Sequence, residues 1–216
     1  MQAIQPLLAE NRVILNPVSW DTFNQLLQEL GDKRSHRLAY SQGTMEIMTP
    51  LGKHEHSNRF IERLIYAIID ELALEVKSLG SLTLKADNLQ KGVEPDSCFY
   101  IQNEFRVRNK QNIEIGVDPV PDLVLEIDVT SSSLDKLSIY GALAVPEIWR
   151  YNGYVLTALI WDGDNQVYQV SDFSRAFTWL RVSELSGFMQ QCLRDGETKT
   201  LRDFRRWLQS QACNFY

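Results

Sequence analysis

Apolar residues recur at helical spacing over residues 20–30, where Trp20, Phe23, Leu26, Leu27 and Leu30 share one face. Ser19 is placed to cap that helix and Gly31 to stop it. Two short strand-like runs, 36–41 and 44–48, flank Gln42-Gly43, which predicts a hairpin. Pro50-Leu51-Gly52 breaks the pattern. From His54 to about Leu74 the periodicity is strongly helical, with Phe60, Leu64, Ile68 and Leu72 in one row and Ile61, Ile65 and Ile69 beside it. A face this wide must lie against a sheet. Strands are expected at 76–79, 82–86 and 96–101, followed by a polar, irregular stretch over 102–118. Pro121 opens a strand over 122–129, and Ser131, Ser132 and Ser133 are candidate caps for a helix over 134–143. Pro146 precedes a strand at 147–151, the runs 154–161 and 166–170 form a closing hairpin, and helices are expected around 182–193 and 201–211. This order predicts an α/β (α+β) fold, a sheet with helices on its faces.

Composition narrows the picture. A chain of 216 residues, 44% hydrophobic and 23% charged, is large enough for a sizeable core and too apolar for a disordered tail. The expected organisation is a flexible N-terminal segment, 1–17, followed by a single domain, 18–216. The longest apolar stretches, such as 64–69, fall far short of the roughly 20 residues a membrane span needs. The N-terminus has neither a basic region nor a long apolar one, so no signal peptide is expected. Cys98, Cys192 and Cys213 have neither metal-ligand nor disulfide spacing, which suits a cytoplasmic protein. The net charge of −6 argues against a protein that coats nucleic acid by bulk electrostatics. It does not argue against an enzyme that holds a divalent cation with carboxylates and meets phosphate with a local basic patch.

Three segments could carry chemistry. Glu94-Pro95-Asp96 places carboxylates at the mouth of a strand. In the strand from Asp122, side chains alternate, so Asp122, Val124, Glu126 and Asp128 share one face and Leu123, Leu125 and Ile127 the other. Glu126 is the sharpest anomaly, because an acid amid such a strand is costly to bury without a cation or hydrogen-bond partner. Asp135-Lys136 opens the next helix, from which a lysine reaches back toward the strand's end. Two or three carboxylates with one lysine suit metal-assisted phosphodiester hydrolysis: hard oxygens hold Mg2+ or Mn2+, and an ammonium orients water. Simpler readings stand beside these. Glu126 also fits half of a structural ion pair, Asp96 the start of a strand, Asp122 a turn cap, and Asp128 a strand end. Glu55 fits a favourable acid in a first helical turn. His54 and His56, two apart on a helix, point to different faces and make a poor zinc pair, while His54 fits a supporting or substrate contact. Trp149 and Tyr151 read as core packing. Arg106, Arg108 and Lys110 read as a solvated loop, and Arg202, Arg205 and Arg206 as an exposed helix face.

The chain resembles the Uma2 (DUF820) family of endonucleases within the PD-(D/E)XK restriction-endonuclease-like superfamily. The resemblance rests on Glu46-Ile47-Met48-Thr49-Pro50 with His54-Glu55, on Glu94-Pro95-Asp96, and above all on residues 121–153. There an acidic strand, a serine run, Asp135-Lys136, Tyr140 and Val145-Pro146-Glu147-Ile148-Trp149 follow in order. The likeness covers most of the chain from about Val18 to Trp207. It implies a mixed central sheet with flanking helices, Asp96 as the Pro-Asp aspartate and Glu126 as the (D/E)XK acid, the two holding the metal. The lysine position two after Glu126 is Asp128, which departs from the pattern and points to Lys136 as a migrated lysine. Glu55, Asp122, Asp128 and His54 are then supporting residues. DNA is the implied substrate, with Mg2+ or Mn2+ as cofactor and no membrane partner. A homodimer suits a nuclease that cuts two strands. The alternative is a non-catalytic, nuclease-fold binding or regulatory protein, and a third reading is an enzyme acting on RNA or small phosphate substrates.

Overall fold

The computed structural model describes residues 10–31, 35–128 and 134–211. Two sheets organise it. The smaller contains β1 (Glu10–Leu15), β2 (Arg37–Ser41), β3 (Thr44–Pro50), β5 (Leu84–Ala86) and β6 (Lys91–Val93), in the order β1-β3-β2-β6-β5 and antiparallel throughout. The larger contains β4 (Lys77–Leu79), β7 (Ser97–Tyr100), β8 (Leu123–Ile127), β9 (Glu147–Tyr151), β10 (Leu156–Asp162) and β11 (Val167–Ser171), in the order β11-β10-β9-β8-β7-β4. It is mixed, because β8 and β9 run parallel while the other neighbours are antiparallel. The helices are α1 (Trp20–Leu30), α2 (Gly52–Glu71), α3 (Glu104–Val107), α4 (Lys136–Ala142), α5 (Leu185–Asp195) and α6 (Glu197–Ser210). The mixed α/β architecture expected from the element order is present, with its strands divided between two sheets.

The layering follows from side-chain alternation. On β8, Leu123, Leu125 and Ile127 join Phe60, Leu64 and Ile68 of α2, with α5 and α6 completing that core. Val124 faces the other way, among Ile139 and Tyr140 of α4 and Ala39, Leu84 and Val93 of the smaller sheet. A third cluster sets Phe23 of α1 against Leu38, Tyr40 and Met45 on the far face of the smaller sheet. The two sheets thus meet through the face that carries Ala39 and Val124, with α4 beside them. Each burial of a leucine-sized side chain contributes about 1.5–3 kcal/mol.

Local chemistry explains several boundaries. Ser19 caps α1 by accepting from the Thr22 N–H, and the Gly31 N–H closes its end on the Leu27 carbonyl. Gln42 and Gly43 both take positive φ (49° and 82°), the geometry of a two-residue hairpin turn. Two strands escape the sequence pattern, the three-residue β6 and β1. Residues 10–15, expected to belong to a flexible segment, pair with β3 from Glu10↔Pro50 to Leu15↔Met45. A four-residue helix, α3, interrupts the stretch expected to be irregular. Ser131, Ser132 and Ser133 lie outside the described residues. Helix α4 is capped by Asp135, whose carboxylate accepts from the Ser138 N–H.

Candidate active site

Glu126, the anomalous acid of β8, is buried between the sheets, and α4 satisfies it. Lys136 and Tyr140 are four residues apart and so share a helix face. Lys136 Nζ donates to Glu126 Oε2 at 3.0 Å, and the Tyr140 hydroxyl donates to Oε1. Asp96 lies just ahead of β7, the neighbour of β8. Its Oδ2 accepts from the Ile127 N–H at 2.8 Å, which ties it to the residue after Glu126. His54, in the first turn of α2, places Nε2 3.2 Å from the same oxygen, and Arg37 Nε lies 4.0 Å from Oδ1. Asp96, Glu126 and Lys136, far apart in the chain, therefore converge at one place.

The electrostatics follow from this crowding. Burial pushes the Glu126 carboxyl above its ordinary range, and Asp96 pushes it further, while Lys136 and the Tyr140 hydroxyl resist. Burial also opposes ionisation of Asp96, but His54, then Lys136 and the Ile127 N–H overcome it and hold the group below its usual value. Burial alone would lower Lys136; Glu126 and Asp96 reverse this and keep its ammonium charged. Two buried carboxylates thus share one ammonium.

A cavity of about 410 Å³ opens on this group, lined by Glu126, Asp128, Lys136 and Tyr140, by Arg150 of β9, and by Arg12 of β1. Arg150 stands beside Glu126 in the parallel register. The smaller sheet adds more charge. Arg12 and Arg37 both pair across to Met48, and Glu46 lies two residues before it, so all four share one sheet face. Arg12 Nη1 donates to Glu46 Oε1 at 2.6 Å, and Arg12 Nη2 lies 3.9 Å from Asp128 Oδ1. Sequence reasoning missed Arg12, Arg37 and Glu46 as site residues. The available signal was the alternation of Arg37 and Ala39 with Leu38 and Tyr40, and of Glu46 and Met48 with Met45 and Ile47.

Two supporting candidates lie elsewhere. Glu55 does not line the cavity: it follows His54 by about 100° around α2, is 40% exposed and binds Arg59 Nε at 2.8 Å. Asp122 sits at the opposite end of β8 from Glu126. Its carboxylate accepts from the Ile101 and Asn103 backbone N–H groups and from Asn103 Nδ2, which secures the turn after β7. His56 faces Glu197, away from His54's partner Asp96. Trp149 and Tyr151 are buried in the core. Arg108 is held by Glu104 and Lys110 by Asp118. Cys98 and Cys192 are buried and outside any disulfide, and burial pushes the Cys98 thiol up to about 12. Among the described residues no three His, Cys, Asp or Glu side chains form a metal-ligand group, and no helix is long and apolar enough to cross a membrane.

The fold is that of a mixed α/β protein whose sheets are flanked by helices. The chain belongs to the Uma2 family, described as "Putative restriction endonuclease", whose model matches residues 20–191. A crystal structure of "a putative nuclease belonging to DUF820" from Anabaena variabilis ATCC 29413 superposes with a TM-score of 0.50 at 16% identity. The match covers 89% of this chain and 99% of that one, and it establishes a shared fold. No curated protein matches the chain.

Proposed function

We propose that this protein is a divalent-metal-dependent endonuclease that hydrolyses phosphodiester bonds in DNA. The observation that carries the reading is the convergence of Asp96, Glu126 and Lys136, with Glu126 and Lys136 on the wall of an open cavity and the buried Asp96 tied to the adjoining Ile127 N–H. Family membership supports the same chemistry.

The residues fit a hard cation. Asp96 and Glu126 offer carboxylate oxygens, the donors that Mg2+ and Mn2+ prefer, and their mutual repulsion is a charge imbalance that a cation relieves. Magnesium keeps several waters, so two protein carboxylates suffice without a third side-chain ligand. When bound, the ion would supply charge neutralisation at the phosphate and a more acidic water. The chain's own groups do the rest. Tyr140 fixes the Glu126 carboxylate, while the Ile127 N–H and His54 fix Asp96. The Lys136 ammonium positions the attacking water and stabilises charge developing on phosphorus-bound oxygen. Helix α4 thereby returns to Glu126 the ammonium that Asp128 removes from the strand. Leu134, Leu137 and Ile148 line the apolar part of the cavity and limit bulk water.

A non-catalytic binding role is the second reading, favoured by one feature: both Glu126 oxygens are already engaged by Lys136 and Tyr140. One experiment separates the two. Purified protein with Mn2+ should nick or cut plasmid DNA, and Glu126→Ala should abolish this. Equal cutting by the variant would remove Glu126 from the mechanism. Absence of both cleavage and millimolar Mg2+ or Mn2+ binding by calorimetry would favour the binding role.

A further inference from the structure

We infer that Arg12 is a positioning residue of the site, and that β1 is the strap that delivers it. Strand β1 lies ahead of the family-matched residues 20–191, so nothing in that match assigns it a role. Its register with β3 sets Arg12 on the sheet face that looks into the cavity, in a row with Met48 and Arg37. The guanidinium lies between two carboxylates of different origin: Glu46, 1% exposed on the smaller sheet, and Asp128, just past the end of β8. Asp128 Oδ1 is buried, with no hydrogen-bond partner among the described residues. Arg12, at 3.9 Å, is the cation that faces it.

The charge arrangement gives this placement its function. A phosphate approaching Lys136 meets a cavity lined by Glu126, Asp128 and Asp135, with Asp96 and Glu46 buried near Lys136. Asp96 and Glu126 have Lys136 between them, and Glu46 and Asp128 have Arg12. Without Arg12, Asp128 on the cavity wall and the buried Glu46 would repel a polyanion, and repulsion across a poorly solvated wall is screened only partly by salt. Arg12 thus makes the far wall of the cavity tolerant of phosphate. The substrate it serves is the polyanionic backbone of the proposed nuclease reaction, so the inference rests on that reading. Binding and cleavage are therefore measured separately.

The full chain is compared as wild type, Arg12→Ala, Arg12→Lys and Arg12→Ala/Asp128→Asn. Affinity for a fluorescein-labelled DNA duplex is read by anisotropy with Ca2+, and KM and kcat for cleavage are read with Mn2+. Arg12→Ala should weaken binding and raise KM roughly tenfold, with a much smaller change in kcat. Arg12→Lys should recover most of the loss. Adding Asp128→Asn should recover part of it, because the uncompensated charge is gone. The defect of Arg12→Ala relative to wild type should shrink as ionic strength rises. A purely structural role would show neither the rescue nor the salt dependence, and that result, or wild-type binding by Arg12→Ala, overturns the inference. Should the unfolding midpoint show that Arg12→Ala has lost its fold, Arg12→Gln removes the charge at nearly the same length and carries the same expectation. Arg12-dependent binding without cleavage under any metal would retain the strap and refute the nuclease. Cleavage indifferent to Arg12 would do the reverse, and a wild type that neither binds nor cleaves would contradict both.

Discussion

At the scale of single residues, the site is a problem of buried charge. Glu126 is tolerated because two donors on one helix face meet its two oxygens. Lys136→Ala would strand a buried carboxylate, which costs about 3 kcal/mol in comparable broken pairs. Chemical denaturation of the metal-free protein should therefore show a lowered midpoint together with lost cleavage. An unchanged midpoint would mean that solvent already satisfies Glu126. Tyr140→Phe keeps the ring in its core and removes only the hydroxyl. It should cost about 1–3 kcal/mol and slow cleavage, with kcat affected more than KM, since the lost group orients a carboxylate and touches no substrate. The choice between His54 and Glu55 is also a matter of one residue. Both are polar neighbours at the start of α2, and a rotation of about 100° sends His54 to Asp96 and Glu55 to Arg59.

At the scale of elements, the site depends on how α4 and β9 are seated. Helix α4 packs so closely on β10 that a Cβ at Gly141 would lie 2.6 Å from the Trp161 ring, which itself packs at a tilt against Tyr168. Gly141→Ala should therefore destabilise the protein by about 1–3 kcal/mol, by forcing the ring or the helix to shift. Because Lys136 and Tyr140 ride on that helix, cleavage should fall with stability. Full stability would show that Trp161 swings aside freely.

Strand β9 is anchored by Glu147, fully buried, whose carboxylate accepts from Trp149 Nε1, Ser174 Oγ and the backbone N–H groups of Arg175 and Ala176. Burial nonetheless outweighs these four donors and raises its pKa above the ordinary value. A raised folded-state pKa means the folded state holds the proton more tightly. The associated stability is full below the unfolded value, near 4.5, and fades as pH rises through the folded one. The stability gap between wild type and Glu147→Ala should thus narrow as pH increases from about 4.5. A gap that widens, in denaturation series at several pH values, would contradict this.

At the scale of the whole molecule, most elements were legible because their patterns are local. The rows of α2, the alternation of β8 and the Gln42-Gly43 turn each lie within a few residues and match the structure closely. The convergence of Asp96, Glu126 and Lys136 was reachable because each sits at a strand or helix end with an evident anomaly or motif. The contribution of the smaller sheet was not. Arg12 comes to the cavity, Arg37 to Asp96 and Glu46 to Arg12 only through the pairing of β1 with β3 and β3 with β2, and through the stacking of one sheet against the other. No short window of sequence encodes that stacking. β1 was hidden for a further reason: Val13, Ile14 and Leu15 are all at least 40% exposed, so its pattern lacks the buried alternation that marks a strand.

The central claim is that these residues form a seat for a divalent cation between two strands and a lysine. Crystals grown or soaked in Mn2+ test it most directly, through the anomalous signal of the metal. The account predicts a peak roughly 2–2.5 Å from oxygens of both Asp96 and Glu126, with Lys136 displaced from its present contact or leaning over the ion's water. A map with no peak there at millimolar Mn2+, or with the metal bound only elsewhere, would contradict it.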